Sequence, residues 1–492
     1  MCAAQLSFSQ STCYIERSRL SGRSFTRRLE ISCEPRCESG HGVESLASPR
    51  KGSRLRCSLD SARNDGYEIW FNIHLNMRLV VQKYGGTSVG TPERICHVAQ
   101  RIVEAHRQGF RVVAVVSAMA GVTDELLRLG HAVASHPTKR EFDILLSTGE
   151  QAAAALTAMA VNALGVAAIS LTGAQAGILT DRTHTRARIA NISPKQIHEL
   201  LDDDYVVIVA GFQGQTPEGE TTTLGRGGSD LTAIALAGAL NADTCQIFTD
   251  VDGVFTCDPR IVKDAEKLGE IAYDELLEMA GSGAKVMQSR AVEFAKKFGV
   301  EFEVRSTFKD VGGTVTREET PSMEDILIRG ISLDLHQAKL SIAGVRDKPG
   351  IVARIFSDIG AAHIIVDMIV QNASIDGTTD ISFTIHQDEL ENARTILMPV
   401  LGELGAKRLN TSSGVAKLSV VGIGMRSHSG VAARLFACLG RAGINIQMVS
   451  TSEIKIAVII DEKEAERAAR LIHAEFGLGR LLPAGSATQP LA

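Results

Sequence analysis

Residues 78–90, RLVVQKYGGTSVG, decide how the chain is read. A short, continuously apolar and β-branched run reaches Lys83, and Gly85-Gly86-Thr87-Ser88 then turn the chain toward ERICHVAQRIVEAHRQG. Apolar residues recur every three or four positions in that stretch until Gly109, the pattern of an amphipathic helix with a glycine stop. Four later runs, RVVAVVSA, AAISLTG, YVVIVAGF and TCQIFTDV, have the same character as the first, which suits parallel strands covered on both faces. SDLTAIALAGALNA opens with a Ser-Asp pair that reads as a helix cap. Strands alternating with helices predict an α/β three-layer sandwich with a mostly parallel sheet over residues 77–307. In such sheets the site lies at the carboxyl ends of the strands, where loops meet helix N-termini.

Composition limits the function classes. A chain of 492 residues that is 44% hydrophobic can bury several cores, and its net charge of −5 offers no basic footprint for nucleic acid. No uninterrupted apolar run reaches the ~18 residues that would span a bilayer. Beyond residue 77 the cysteines Cys96, Cys245, Cys257 and Cys438 stand alone, without a CxxC pair or a histidine at zinc-ligand spacing, which fits a reduced, cytoplasmic setting and no metal site. Residues 1–76 differ from the rest. They are rich in Ser and Arg, lack sustained periodicity and hold five of the nine cysteines and the only tryptophan, Trp70. A transit peptide is one reading, but Glu16, Glu30, Glu34, Glu38, Glu44, Asp60, Asp65 and Glu68 count against it. The preferred expectation is a non-globular extension produced by start-site choice, with translation beginning at Met77.

The turns carry specific chemistry. Glycines at 85 and 86 let backbone N–H groups approach phosphate oxygens, and Lys83 adds a mobile positive charge. No Walker A pattern is present. VVSAMAGVTDELL places Ser117 and Thr123 around a glycine turn, and TLGRGGSDLTA puts Arg226, Gly227, Gly228, Ser229 and Asp230 before an apolar helix. That second turn combines a carboxylate-binding guanidinium, a helix N-terminus and an acid. FTDVDGVFTCDPR follows a buried strand with Asp250, Asp252, Asp258 and Arg260 in a loop whose spacing is not that of a calcium site. A nucleotide-holding loop fits it better.

Taken in order, KYGGTSV, SAMAGVT, LSTGEQ, GRGGSD, TDVDGVFTCDPR and GAKV resemble the motifs of the aspartate kinases, within the amino acid kinase family. Two departures are local: Tyr84 stands where Phe is common, and AKVMQSRA replaces a more usual KVLHPRA. The resemblance implies phosphoryl transfer from ATP, with Mg2+, to the side-chain carboxylate of L-aspartate, giving 4-phospho-L-aspartate. It implies catalytic roles for Lys83, Asp230 and Arg226, and substrate contacts from Ser117, Thr123, Glu150, Arg226, Gly227, Gly228 and Ser229. ATP would be held by Lys83, Tyr84, Gly85, Gly86, Thr249, Asp250, Phe255, Asp258, Pro259, Arg260 and Lys285. A kinase acting on glutamate, or a catalytically silent amino-acid sensor, are the alternatives.

The last third repeats itself. AKLSIAGVRDKPGIVARIFSDIGAAHIIVDMIV aligns with AKLSVVGIGMRSHSGVAARLFACLGRAGINIQMVS, pairing Gly344 with Gly422, Gly350 with Gly430, Arg354 with Arg434, Phe356 with Phe436 and Met368 with Met448. These units resemble ACT domains, expected over residues 331–410 and 411–492 after a linker at 308–330. The resemblance implies lysine and/or threonine as allosteric effectors, bound by Asp347, Gly350, Ile351, Asp367, Met368, Gln371, Asn372, Asp380, Asn445, Ile446 and Thr451. It also implies a homo-oligomer assembled through these units and feedback control of lysine and threonine synthesis. Met323 in the linker is a candidate internal start for a shorter subunit.

Overall fold

Five parallel strands predicted from apolar runs form as Leu79–Tyr84, Arg111–Val116, Ala168–Leu171, Val206–Ala210 and Thr244–Thr249 in the computed structural model. It describes residues 78–284, 286–318, 327–373, 377–426 and 428–479, with the backbone of Tyr14–Ile15, Leu55–Arg56 and Trp70–Asn72. Those last three pair as a small sheet with Trp70–Asn72 in the middle, within a segment where the sequence predicts no domain. Lys285, Met323 and Met77 lie outside the described residues.

The principal sheet has eight strands in the order Glu270–Ala272, Thr314–Arg317, Phe302–Ser306, Thr244–Thr249, Leu79–Tyr84, Arg111–Val116, Val206–Ala210, Ala168–Leu171. Alternate residues of its central strands face opposite helical layers. Val81, Val113, Val115, Val207 and Val209 join one core, and Val80, Tyr84, Val112, Ala114 and Ile208 join the other. Burial on both faces is why these strands read as unbroken apolar runs. The sheet continues to Arg317, so the expected boundary at 307 falls short: Thr314–Arg317 pairs with Phe302–Ser306 and with Glu270–Ala272.

Helix Pro92–Arg107 begins where Thr91 caps it and buries Ile95, Val98, Ala99, Ile102 and Val103 against the sheet. Helix Lys139–Ala163 is long and apolar enough, by length and composition, to cross a membrane, but half of its apolar window is buried inside the fold. A second sheet, in the order Thr221–Thr223, Gln213–Gln215, Ile178–Thr180, Ile189–Ile192, has no counterpart in the sequence reading. Its strands are only three or four residues long, too short for periodicity to register.

The repeats interlock. Strands Gly330–Arg346 and Arg408–Val421 pair antiparallel along most of their lengths inside a six-stranded sheet, so Ile331 faces Val420 and Ile342 faces Leu409. The expected division at 410/411 falls inside strand Arg408–Val421, and the start of the first repeat packs with the core of the second. Helices Ile351–Ala361 and Val431–Arg441 keep the repeat's symmetry, each capped by a left-handed glycine, Gly350 at φ 94° and Gly430 at φ 95°. Among the described residues, those from Leu79 onward form one unit that contains both the kinase-like and the repeat region.

Candidate active site

The strand register brings the predicted turns to one edge. Tyr84 lies opposite both Val116 and Phe248, and Val116 lies opposite Ala210. The residues that follow these four positions therefore share the carboxyl edge of the sheet. Gly85 donates its N–H to the Phe248 carbonyl at 3.3 Å, Ser117 donates to the Tyr84 carbonyl at 3.1 Å, and Ala120 donates to Gly86 at 3.1 Å. A Cβ on Gly86 would stand 2.7 Å from the Ala118 carbonyl, so glycine is required for the two loops to meet.

Lys83 forms an ion pair with Asp230, Nζ to Oδ1 at 2.6 Å, with both side chains only slightly exposed. Asp230 occupies the first turn of helix Gly228–Ala239, whose N-cap is Gly227 in the left-handed region at φ 70°. This corrects the expected Ser-Asp cap. Ser229 and Asp230 sit inside the helix, leaving their side chains to the site. A Cβ on Gly211 would come within 2.7 Å of Ser229 Oγ, so the loop after Val206–Ala210 closes directly on this helix start.

Glu150 projects from helix Lys139–Ala163 into the same place. It is buried, and its Oε1 accepts the Ala118 N–H at 3.3 Å. Its Oε2 is buried without a hydrogen-bond partner. Burial pushes the carboxyl up to about 7, against the pull of the Ala118 amide. Arg226 is exposed and makes no ion pair among the described residues. Thr123 is half-buried in the first turn of helix Val122–Val133.

The nucleotide-loop residues divide. Thr249 donates its hydroxyl to Asp250 Oδ1 at 3.1 Å at the end of its strand. Farther on, Arg260 donates to both oxygens of Asp258, which holds that carboxyl below its usual range. Pro259 is exposed beside them, and Phe255 bridges to Lys267. The Tyr84 ring requires a correction. It is fully buried, stacks on Phe248 at 4.8 Å between centroids and donates its hydroxyl to Gln82 Oε1, so only its backbone faces the glycine turn.

The expected effector residues separate as well. Asp347, through its N–H to Gly377, and Asp380, which accepts the Gly344 N–H at 2.7 Å, share one end of the first repeat with Gly350 and Ile351. Exposed Asn372 lies opposite Asp380, with exposed Gln371 beside it. Asn445, Ile446 and Thr451 belong to the other edge of the sheet, around Met448–Thr451. Two residues depart from expectation. Asp367 is engaged by the buried Lys417, and Met368 is buried against Met448, Val415 and Ile459.

Sequence reasoning missed a supporting network. Asp143 is completely buried and accepts from the Thr223 hydroxyl and the Thr185 N–H, with His184 Nδ1 at 2.8 Å. Arg290 donates to the carbonyls of Leu224 at 2.7 Å and Ala187 at 3.0 Å, fixing the entry to the Arg226 turn. A signal existed for the first of these. Asp143 and Glu150 stand seven residues apart, on one face of the same apolar helix.

Comparison with known proteins agrees with this geometry. Residues 78–306 match the amino acid kinase family, and residues 340–398 and 418–476 match the ACT domain. An aspartate kinase of Stutzerimonas stutzeri is 50% identical over 414 residues, covering 84% of this chain and all of that protein. The crystal structure of E. coli aspartokinase III in complex with aspartate and ADP superposes with a TM-score of 0.69 at 26% identity, covering 81% of this chain and 99% of that one. The same enzyme in complex with lysine and aspartate gives 0.65 over the same shares. A paired lysine and aspartate beside a glycine turn, on a sheet followed by two interlocked repeats, thus accompanies half-identity to a whole relative, and the chain belongs to the aspartate kinases of the amino acid kinase family.

Proposed function

We propose that the protein transfers the γ-phosphoryl group of ATP to the side-chain carboxylate of L-aspartate, forming 4-phospho-L-aspartate, and so opens the route to lysine, threonine, methionine and diaminopimelate. The observation that carries this reading is the buried, unpartnered oxygen of Glu150, whose other oxygen accepts the Ala118 N–H on the loop that closes against the Gly86 turn after Lys83. A buried carboxylate lacking a partner is costly unless a cation completes it, and the α-ammonium group of an amino acid is such a cation. Arg226, exposed and without an ion-pair partner among the described residues, suits the substrate's α-carboxylate.

The acceptor carboxylate is already ionised at neutral pH and needs no general base. Catalysis then rests on positioning and on charge. Lys83, oriented by Asp230, neutralises the oxygens of the transferring group, and the Gly85 and Gly86 turn lets backbone approach them. The loop from Thr249 to Arg260 holds the nucleotide. Mg2+ would come with the phosphates of ATP, whose charge it offsets.

The two ACT units place this activity under amino-acid control. E. coli aspartokinase III has been crystallised with lysine, and the end of the first repeat that gathers Asp347, Gly350, Asn372 and Asp380 is the place where lysine or threonine binds here. The enzyme works in the cytoplasm as an oligomer joined through the repeats, and Met323 starts a shorter regulatory subunit. The test is ATP turnover with aspartate, glutamate or no acceptor, each with and without lysine and threonine. Turnover on glutamate equal to that on aspartate would refute the substrate assignment, and no response to either amino acid would refute the control.

A further inference from the structure

The nucleotide loop is built into two cores at once. Val254 is buried in the core of the kinase domain, and its N–H is held by the Thr314 hydroxyl at 2.9 Å. Three residues later Cys257 belongs to a different core, that of the second repeat, with Leu418, Leu435 and Ile472. Val262 belongs to the same core, so Asp258-Pro259-Arg260 form a short arch whose two ends are both planted in the regulatory unit. Hydrogen bonds tie the near end. Ile331 donates its N–H to the Thr256 carbonyl at 2.7 Å, and the Thr256 hydroxyl, which accepts the Glu266 N–H at 3.0 Å, lies 3.0 Å from His473 Nε2. Thr256 and His473 are each 1% exposed.

His473 stands on helix Ala465–Glu475, near the end of the second repeat. Burial holds its ring below the ordinary histidine range. Buried partners of this kind are expensive to leave unmade, so the arch must follow any shift of the helix.

We infer that His473 is a positioning residue for nucleotide binding: through Thr256 it sets the Asp258–Arg260 arch, making the second ACT unit part of the ATP site's scaffold. The inference rests on the reading that this loop holds ATP. Its consequence is selective. Disturbing the second repeat raises the KM for ATP and leaves the KM for aspartate unchanged, because Glu150 and Arg226 are borne by elements of the kinase domain.

Steady-state kinetics on the full chain decide it, using His473→Leu, His473→Gln, Thr256→Val and Arg260→Ala. His473→Leu and Thr256→Val raise the ATP KM roughly five- to tenfold with the aspartate KM within about twofold, the size expected for one buried hydrogen bond. His473→Gln, whose side-chain amide offers both a donor and an acceptor near the imidazole Nε2 position, restores most of the affinity. Thr256→Val removes only a hydroxyl and carries the test if His473→Leu does not fold. If Arg260→Ala raises the ATP KM while both buried variants leave it unchanged, the positioning role is refuted and the loop assignment stands. If none of the four changes the ATP KM, the loop assignment falls and the inference with it. An equal rise for both substrates also overturns it, since that marks general loosening of the fold.

Discussion

Two buried carboxylates, one at the catalytic edge and one where the kinase domain meets the repeats, are handled in opposite ways. Glu275, on helix Tyr273–Gly281, is 1% exposed and accepts from Arg329 Nε at 3.1 Å, the Ile423 N–H at 3.1 Å and the Ala272 N–H. Glu150 is similarly buried but receives a single long amide bond, and one of its oxygens has no partner. The first is a completed structural joint, in which both carboxylate oxygens have donors. The second tolerates an incomplete shell, and its carboxyl is pushed up to about 7 as a result. An unfilled shell of this kind is what the ammonium group of the proposed aspartate substrate would complete.

The contrast can be broken most severely at the joint. Glu275→Ala leaves Arg329 buried beside a lost partner and should cost about 3–5 kcal/mol, read as a lower urea midpoint with an unchanged aspartate KM in whatever fraction remains folded. At the catalytic edge the loss appears in rate instead. Lys83→Ala should lower kcat by at least ~100-fold with little change in thermal midpoint, since the charge it provides matters in the transition state. A near-normal kcat would remove Lys83 from the mechanism. Arg226→Ala should raise the aspartate KM roughly 10- to 100-fold, with the ATP KM little changed, as expected for a charged hydrogen-bonding group facing solvent before substrate arrives.

The smallest expected effect sharpens the comparison most. Because the folded pKa of Glu150 is raised to about 7 from 4.5, the folded chain binds its proton more tightly than the unfolded one. The stability this confers is complete below the unfolded pKa and is lost as pH rises through about 7. Glu150→Gln removes that dependence, so the variant should be more stable than the parent at pH 8 by roughly 1–3 kcal/mol, with the gap closing toward pH 5. Denaturation curves at the two pH values check it. The same variant should bind aspartate less well, so stability and affinity move in opposite directions. Loss of both would place Glu150 with Glu275.

The recognisable parts of the site were those that local sequence encodes. Lys83 ends a strand and precedes two glycines, and Arg226 precedes a glycine pair and a helix, so their chemistry lies in contiguous residues. Asp143 and Arg290 escaped notice because their partners are distant: Thr223 lies 80 residues from Asp143, and Ala187 lies 103 residues from Arg290. Tyr84 was assigned to the nucleotide from its neighbours, whereas strand alternation turns its ring into the core and leaves the lysine before it at the site.

The sequence by itself determined the α/β alternation, the five parallel strands read from apolar runs, the duplicated repeats and the glycine turns, because each depends on periodicity or on backbone freedom within a few residues. Tertiary structure alone decided the rest. It interlocked Gly330–Arg346 with Arg408–Val421 across the repeat boundary, placed Cys257 and Val262 in the regulatory core rather than the catalytic one, and set which buried acid is satisfied. Those outcomes depend on which distant groups displace water from a given atom, and the free energy of burial belongs to the assembled neighbourhood, with no trace in the local pattern of residues.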